Sequence, residues 1–169
     1  MDKKYCIICD IDNVFVDSRE WVKEITPDCK SREDWDIFQS KMYLSKPNQP
    51  IIDLMLSVYE LITIMFLTSR ENRKNHRQET IKQIESFTDG KMIVGENCHL
   101  IMRNEFDYRP SAEVKKEQVT QVVSQGYIPI LAIDDDESNC LMFKELGIPC
   151  NRYHIETGEM EKIYVVSDY

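Results

Sequence analysis

Long hydrophobic runs are missing from this chain of 169 residues. The longest, such as Leu61 to Leu67, reach about seven residues, where a bilayer-crossing helix needs roughly 18 to 20. A membrane span and a membrane partner are therefore not expected. Cysteine is sparse: six thiols, widely scattered, are too few for a small disulfide scaffold and are expected to be reduced. The one suggestive pair, Cys6 and Cys9, falls on a strand-like run where positions three apart face opposite ways, and no second pair follows. Positive charge is also short. Lys and Arg total 21 against 30 Asp and Glu, and the net charge of -9 excludes a broad basic surface that grips duplex DNA by its phosphates. It leaves room for an acidic metal site that holds one phosphate with a few Arg and Lys. Nor is there a P-loop: at Gly90-Lys91, Glu85 stands at the required glycine position and Met92 replaces Ser or Thr, so no kinase activity is expected. The N-terminus, Met-Asp-Lys-Lys-Tyr, lacks the apolar segment of a secretory signal, which predicts a cytoplasmic protein.

What is present is a regular alternation. Tyr5 to Ile11, Ile62 to Leu67, His99 to Met102, Ile128 to Ile133 and Cys150 to Ile155 read as five strands. Between them, helical patterns start near Pro50, Asn72, Pro110 and Ser138, with Gly90, Gly126 and Gly147 as stops. Strands alternating with helices predict a single α/β domain over residues 1–169, its mostly parallel sheet covered on both faces. Residues 17–50 break the pattern. They hold both tryptophans and three of the six prolines without a strand-like run, and read as a small insertion.

In a parallel sheet the C-terminal strand ends meet along one edge, where α/β proteins bind ligands. Here three polar clusters converge: Asp10-Ile11-Asp12, Thr68-Ser69-Arg70 and Asp134-Asp135-Asp136, with Lys115 on the helix before the fourth strand. Each acidic cluster directly follows a run that must be buried, so its carboxylates repel one another unless a cation or proton settles them. Hard oxygen ligands beside one Lys, one Arg and hydroxyls suit Mg²⁺ and a phosphate oxygen, and predict phosphoryl transfer through an attacking aspartate.

With these residues in place the chain resembles the haloacid dehalogenase superfamily of phosphatases. Within it, the chain is most similar to the 3′-phosphatase domain of phage polynucleotide kinase and its stand-alone phage and bacterial relatives. The segments that carry the resemblance are LTSRE (67–71), MRNEFDYRPSAEVK (102–115), LAIDDD (131–136) and LGIPC (146–150). The resemblance implies a Rossmann-like three-layer α/β/α core with a five-stranded sheet and a small cap at 17–50. It implies Asp10 as nucleophile and metal ligand, and Asp12 as general acid/base and ligand through its carbonyl. Thr68 and Lys115 would hold the phosphoryl group, and Asp134 and Asp135 would complete the Mg²⁺ site. Arg70, with Ser69 beside it, would meet the substrate phosphate, and Arg103 and Arg109 would touch substrate or shape their loop. The implied substrate is a phosphomonoester, namely a 3′-phosphate on a single-stranded nucleic acid end or a nucleotide. Asn13-Val14 replaces the family's Gly-Thr, with Asn able to adopt the left-handed turn, and Ser111 replaces an acid that Glu113 is near enough to substitute.

Two competing readings stand beside this one: a small-molecule phosphatase or 5′-nucleotidase, and a catalytically weak phosphate-binding module. Arg19, just past the first motif, is placed to reach a phosphate from the insertion. Trp21, Trp35 and Phe38 are read as the core of the insertion in preference to a base-stacking platform. Arg70 to Arg77 is read as a solvated helix face, and His76, His99 and His154 lack metal-site spacing.

Overall fold

A computed structural model of the chain describes residues 4–25 and 31–163. Its central sheet has six strands: β1 (Lys4–Cys9), β4 (Thr63–Glu71), β5 (Cys98–Arg103), β6 (Tyr127–Asp134), β7 (Cys150–His154) and β8 (Glu159–Ile163), in the spatial order β5-β4-β1-β6-β7-β8. The first five are parallel, as expected, and β8 pairs antiparallel with β7. The expected five-stranded sheet therefore gains an edge strand. Its sequence, EMEKI, is exposed at all but its last residue, so it carries no hydrophobic alternation, and its charges suit an edge.

The parallel strands are buried on both faces, and alternation decides which residue goes where. From β1, Ile7 and Cys9 join one core cluster while Cys6 and Ile8 join the other; from β4, Ile64 and Phe66 divide from Met65 and Leu67 in the same way. The first cluster is closed by Ile51, Ile52 and Met55 of helix α3 (Gln49–Val58) and Ile84 of α4 (Lys74–Phe87). The second is closed by Val119 and Val122 of α5 (Ser111–Ser124) and Phe143 of α6 (Glu137–Glu145). Cys6 and Cys9 thus lie on opposite sides of the sheet as buried thiols.

Between β1 and α3 the chain forms a two-residue strand pair, β2 (Val16–Asp17) with β3 (Lys46–Pro47), and two helices, α1 (Arg19–Ile25) and α2 (Arg32–Lys41). These short strands pair antiparallel within the stretch expected to hold none, and they bring the two ends of the helical segment together. Helix α2 starts on a reciprocal capping box between Ser31 and Asp34. No helix among the described residues is long and apolar enough to cross a membrane.

Candidate active site

The site grows from strand register. Cys9 is level with Phe66 on β4 and Ile133 on β6, so Asp10, Leu67 and Asp134 follow at one height along the sheet edge. The Asp10 amide donates to the Ile133 carbonyl at 3.0 Å, fixing the turn out of β1. Asn13 then adopts a left-handed backbone, φ 59°, the conformation that Asn tolerates better than most side chains. Its amide Nδ2 donates to Asp135 Oδ2 at 3.4 Å.

The polar triplet on β4 is not a strand end. The strand continues to Glu71, and the register with β5 jumps from Thr68↔Met102 to Glu71↔Arg103. Ser69 and Arg70 are the extra residues of a bulge, a device that re-aims side chains beside a site. Arg70 is turned inward and is 1% exposed. Its Nε and Nη2 donate to Asp12 at 2.9 and 2.7 Å, and its Nη1 donates to Thr80 at 3.0 Å and Gln83 at 2.7 Å. Four of its five N–H groups are thereby committed to protein partners. The guanidinium expected to meet substrate phosphate orients Asp12, which also accepts from Ser18 Oγ at 3.2 Å.

At the centre is Lys115, brought by the second turn of α5 and 1% exposed. Its Nζ lies 2.6 Å from Asp10 Oδ1 and 2.6 Å from Asp134 Oδ2. Burial works against the ammonium, but the charges and hydrogen bonds of the two carboxylates outweigh it and hold the Lys115 pKa above its usual value. For Asp10, burial and the neighbouring charges of Asp134 and Asp135 overcome the lysine, and its pKa is raised well above the ordinary carboxylate range. Burial and the Asp134 charge push Asp135 up to about 7.

Carboxylate oxygens of Asp10, Asp134 and Asp135 lie within 4.8 Å of one another. Three carboxylates against one ammonium leave excess negative charge in a buried place, and every donor is a hard oxygen, the set that a divalent cation such as Mg²⁺ takes. Asn13 Oδ1, buried beside this cluster, has no hydrogen-bond partner among the described residues. The residues therefore fit the expected ion. Asp134 is braced from behind: its Oδ1 accepts from the Asp136 amide at 3.1 Å and from Asn139 Nδ2 at 2.9 Å.

Above this floor opens a cavity of about 270 Å³, lined by Asp10, Asp12, Thr68, Ser69, Arg70 and Lys115 on the sheet side and by Trp21, Trp35 and Phe38 on the helical segment. The aromatic trio is partly a core, as expected: Trp21 is buried, packs on Phe38 at 4.9 Å and donates to Ser45 Oγ at 3.2 Å. Trp35 is not. It meets Phe38 edge-on at 5.6 Å, yet is 40% exposed and faces the cavity.

The remaining substrate-binding expectations divide. Ser69 lines the cavity and shares a 2.7 Å hydroxyl contact with Ser111. Arg103 and Arg109 line a neighbouring cavity instead. Arg103 anchors the loop, donating to the carbonyls of Ser69, Asp107 and Arg109 at 2.8 to 3.0 Å. Arg109 forks onto Asp107, with a further bond to Glu117 at 2.6 Å. Arg19 lines neither cavity, because its guanidinium folds back onto Asp17 two residues away. Glu113 does not stand in for an acid at Ser111: it is exposed and lines neither cavity, and the lysine finds its second carboxylate in Asp134. Sequence reasoning passed over Ser18, Thr80, Gln83 and Asn139, which orient Asp12, Arg70 and Asp134. Only the i, i+3 spacing of Thr80 and Gln83 on α4 hinted at a shared face.

The family model of the polynucleotide kinase PNKP phosphatase domain matches residues 4–158. Among solved structures, a chain of the Pnkp1/Rnl/Hen1 RNA repair complex is similar over 88% of this chain and 42% of its own length, at 20% identity and a TM-score of 0.68. This chain thus spans less than half the length of that relative. A haloacid dehalogenase-like hydrolase from Streptococcus pneumoniae is similar over 91% of this chain and 86% of its own, at 18% identity and a TM-score of 0.60. A class C acid phosphatase from Bacillus anthracis with tungstate bound covers 82% and 54%, at 18% identity and a TM-score of 0.54. At these identities the likeness is one of fold. None of the curated proteins matches the chain.

Proposed function

The chain belongs to the family of the polynucleotide kinase PNKP phosphatase domain, and from that premise we propose that it removes 3′-phosphate from single-stranded nucleic acid ends through an aspartyl-phosphate. The observation that carries the catalytic reading is Lys115, buried and bonded at 2.6 Å to both Asp10 and Asp134 at the floor of an open cavity. A cation buried between two carboxylates fixes the angle of each, and Asp10 is left with one oxygen, Oδ2, free of protein partners among the described residues. That is the preorganisation a carboxylate nucleophile needs.

In the first step an Asp10 oxygen forms a bond to phosphorus as the bond from phosphorus to the 3′ oxygen breaks, and the leaving oxygen takes a proton from Asp12. In the second step water gives a proton to Asp12 and attacks phosphorus. The acyl-phosphate bond breaks, inorganic phosphate leaves and Asp10 is regenerated. Arg70 holds the Asp12 carboxyl in place through both proton transfers. Thr68 and Lys115 face the phosphoryl oxygens. Asp10, Asp134 and Asp135 would hold a divalent cation, which supplies charge neutralisation at those oxygens when bound.

The test is phosphate release, with and without Mg²⁺, from 3′- and 5′-phosphorylated oligonucleotides, a 3′-mononucleotide and an aryl phosphate. Metal-dependent release with preference for the 3′-oligonucleotide is the expected result. Preference for the mononucleotide makes the protein a nucleotidase, and no release from any substrate makes it a phosphate-binding module.

A further inference from the structure

Beside the reaction cavity lies a second one of about 550 Å³, and the two share a wall formed by Trp35 and the Ser69–Ser111 pair. A space of this size is in the range that takes a nucleotide-sized ligand. Its walls carry three cations, Arg32, Arg103 and Arg109, against three acids, Asp36, Glu71 and Asp107, and each of those acids is ion-paired to Arg73 or Arg109. Arg32 and Arg103 line it, and neither has a carboxylate within ion-pair distance among the described residues, whereas Arg73 and Arg109 nearby are each paired. Both unpaired guanidiniums sit over aromatic rings: Arg32 lies 5.0 Å from the centre of Tyr108, and Arg103 lies 6.0 Å from that of Trp35. Tyr108 is 55% exposed and Trp35 40%, so each ring keeps surface free for a further partner. Loop 104–110 presents Tyr108 from the sheet side, held by the bonds of Arg103 to the Asp107 and Arg109 carbonyls, and α2 presents Arg32 and Trp35 from the other.

Exposed aromatic rings with a cation on one face keep the other face as a platform for nucleobases, and the Arg32 guanidinium and the Nη2 of Arg103, which takes no part in the three carbonyl bonds, suit a phosphodiester. Resting on the reading of the site as a 3′-phosphatase of single strands, we propose that the second cavity binds the nucleotide next to the terminal one. The terminal 3′-phosphate occupies the floor over Lys115 and its nucleoside lies against Trp35. The linking phosphodiester passes the Ser69–Ser111 wall toward Arg103, and the neighbouring base stacks on the face of Tyr108 opposite Arg32.

The experiment measures kcat/KM for a 3′-phosphorylated mononucleotide and the corresponding 3′-phosphorylated dinucleotide, in the wild type and in Tyr108→Ala, Arg32→Ala and Tyr108→Phe, with an aryl phosphate alongside. A stacked base is worth between about 5- and 150-fold, so the wild type prefers the dinucleotide within that range, mainly through KM. Tyr108→Ala and Arg32→Ala bring the preference toward unity, and Tyr108→Phe retains it. Both replaced side chains are exposed, so loss of folding does not obscure the ratio. A wild type that cleaves both nucleotides equally, or a preference that survives both alanine substitutions, overturns the second-nucleotide site and leaves the 3′-phosphatase reading intact. Cleavage of aryl phosphate with none of either nucleotide overturns both.

Discussion

Two arginine–carboxylate forks in this protein have the same chemistry and opposite settings. Arg109 grips Asp107 with two bonds from two residues away, and its side chain is 45% exposed. Arg70 grips Asp12 with two bonds from 58 residues away, and its own side chain is wholly buried. The first costs little chain entropy to form and is screened by water and salt, so it stiffens one turn of loop. The second ties the end of β1 to the bulge of β4, and Thr80 and Gln83 hold the guanidinium from behind. Gln83 also donates to the Met42 carbonyl at 2.7 Å, so the helical segment, the arginine and Asp12 form one connected frame. An ion pair contributes to a site according to what it connects and how dry it is, not by its geometry alone.

That contrast can be broken in graded ways. Asp10→Asn removes the nucleophile that the buried frame exists to place, and kcat falls by about 10⁴-fold or more in a steady-state phosphate-release assay. Turnover near wild type would remove Asp10 from that role. Lys115→Met leaves two buried carboxylates unpaired. The metal-free protein then loses about 3–5 kcal/mol in denaturant unfolding at neutral pH, and an unchanged midpoint would show that the lysine holds nothing together. Arg70→Lys keeps the charge and loses the fork, so Asp12 is no longer held at a fixed angle. A misplacement of this kind costs about 10²-fold in kcat, read against KM to separate positioning from binding.

The carboxyls of Asp10 and Asp135 are raised by burial first and by neighbouring carboxylates next, Asp135 to about 7, so the folded state keeps protons that the unfolded chain releases near pH 4. Stability of the metal-free protein therefore falls as pH rises from about 4 to 7 on account of these groups. Stabilisation by added Mg²⁺ grows over the same window, since the ion displaces those protons. Thermal melts with chelator and with Mg²⁺ at pH 5, 6, 7 and 8 separate the two slopes, and parallel curves would refute the linkage. The smallest effect belongs to Arg109→Lys. Its fork is exposed, so any shift of the denaturant midpoint is too small to resolve and fades with salt, and kcat is unchanged; a loss of kcat matching that of Arg70→Lys would collapse the comparison.

Much of the architecture was legible because it rests on short-range rules. Apolar runs ending in acid marked β1 and β6, and Gly126 and Gly147 marked the ends of α5 and α6. β8 was not legible, because an exposed edge strand pairs through its backbone and needs no hydrophobic pattern. The bulge at Ser69-Arg70 was hidden for a related reason: it is a property of the pairing between β4 and β5, and neither strand records it alone. The pairing of Arg19 with Asp17 was not legible, because proximity to the first motif along the chain says nothing of which carboxylate lies nearer in space.

By itself the sequence determined the alternation of strands and helices and the identity of the acids at the strand ends. Local propensity and hydrophobic period need only neighbours along the chain. Only the tertiary structure decided which charges meet. It set Lys115 between Asp10 and Asp134, turned Arg70 inward to Asp12, and left Arg32 and Arg103 without a carboxylate at ion-pair distance among the described residues. Partner choice among charged side chains depends on distance through space and on exclusion of water, and neither exists until the sheet has formed.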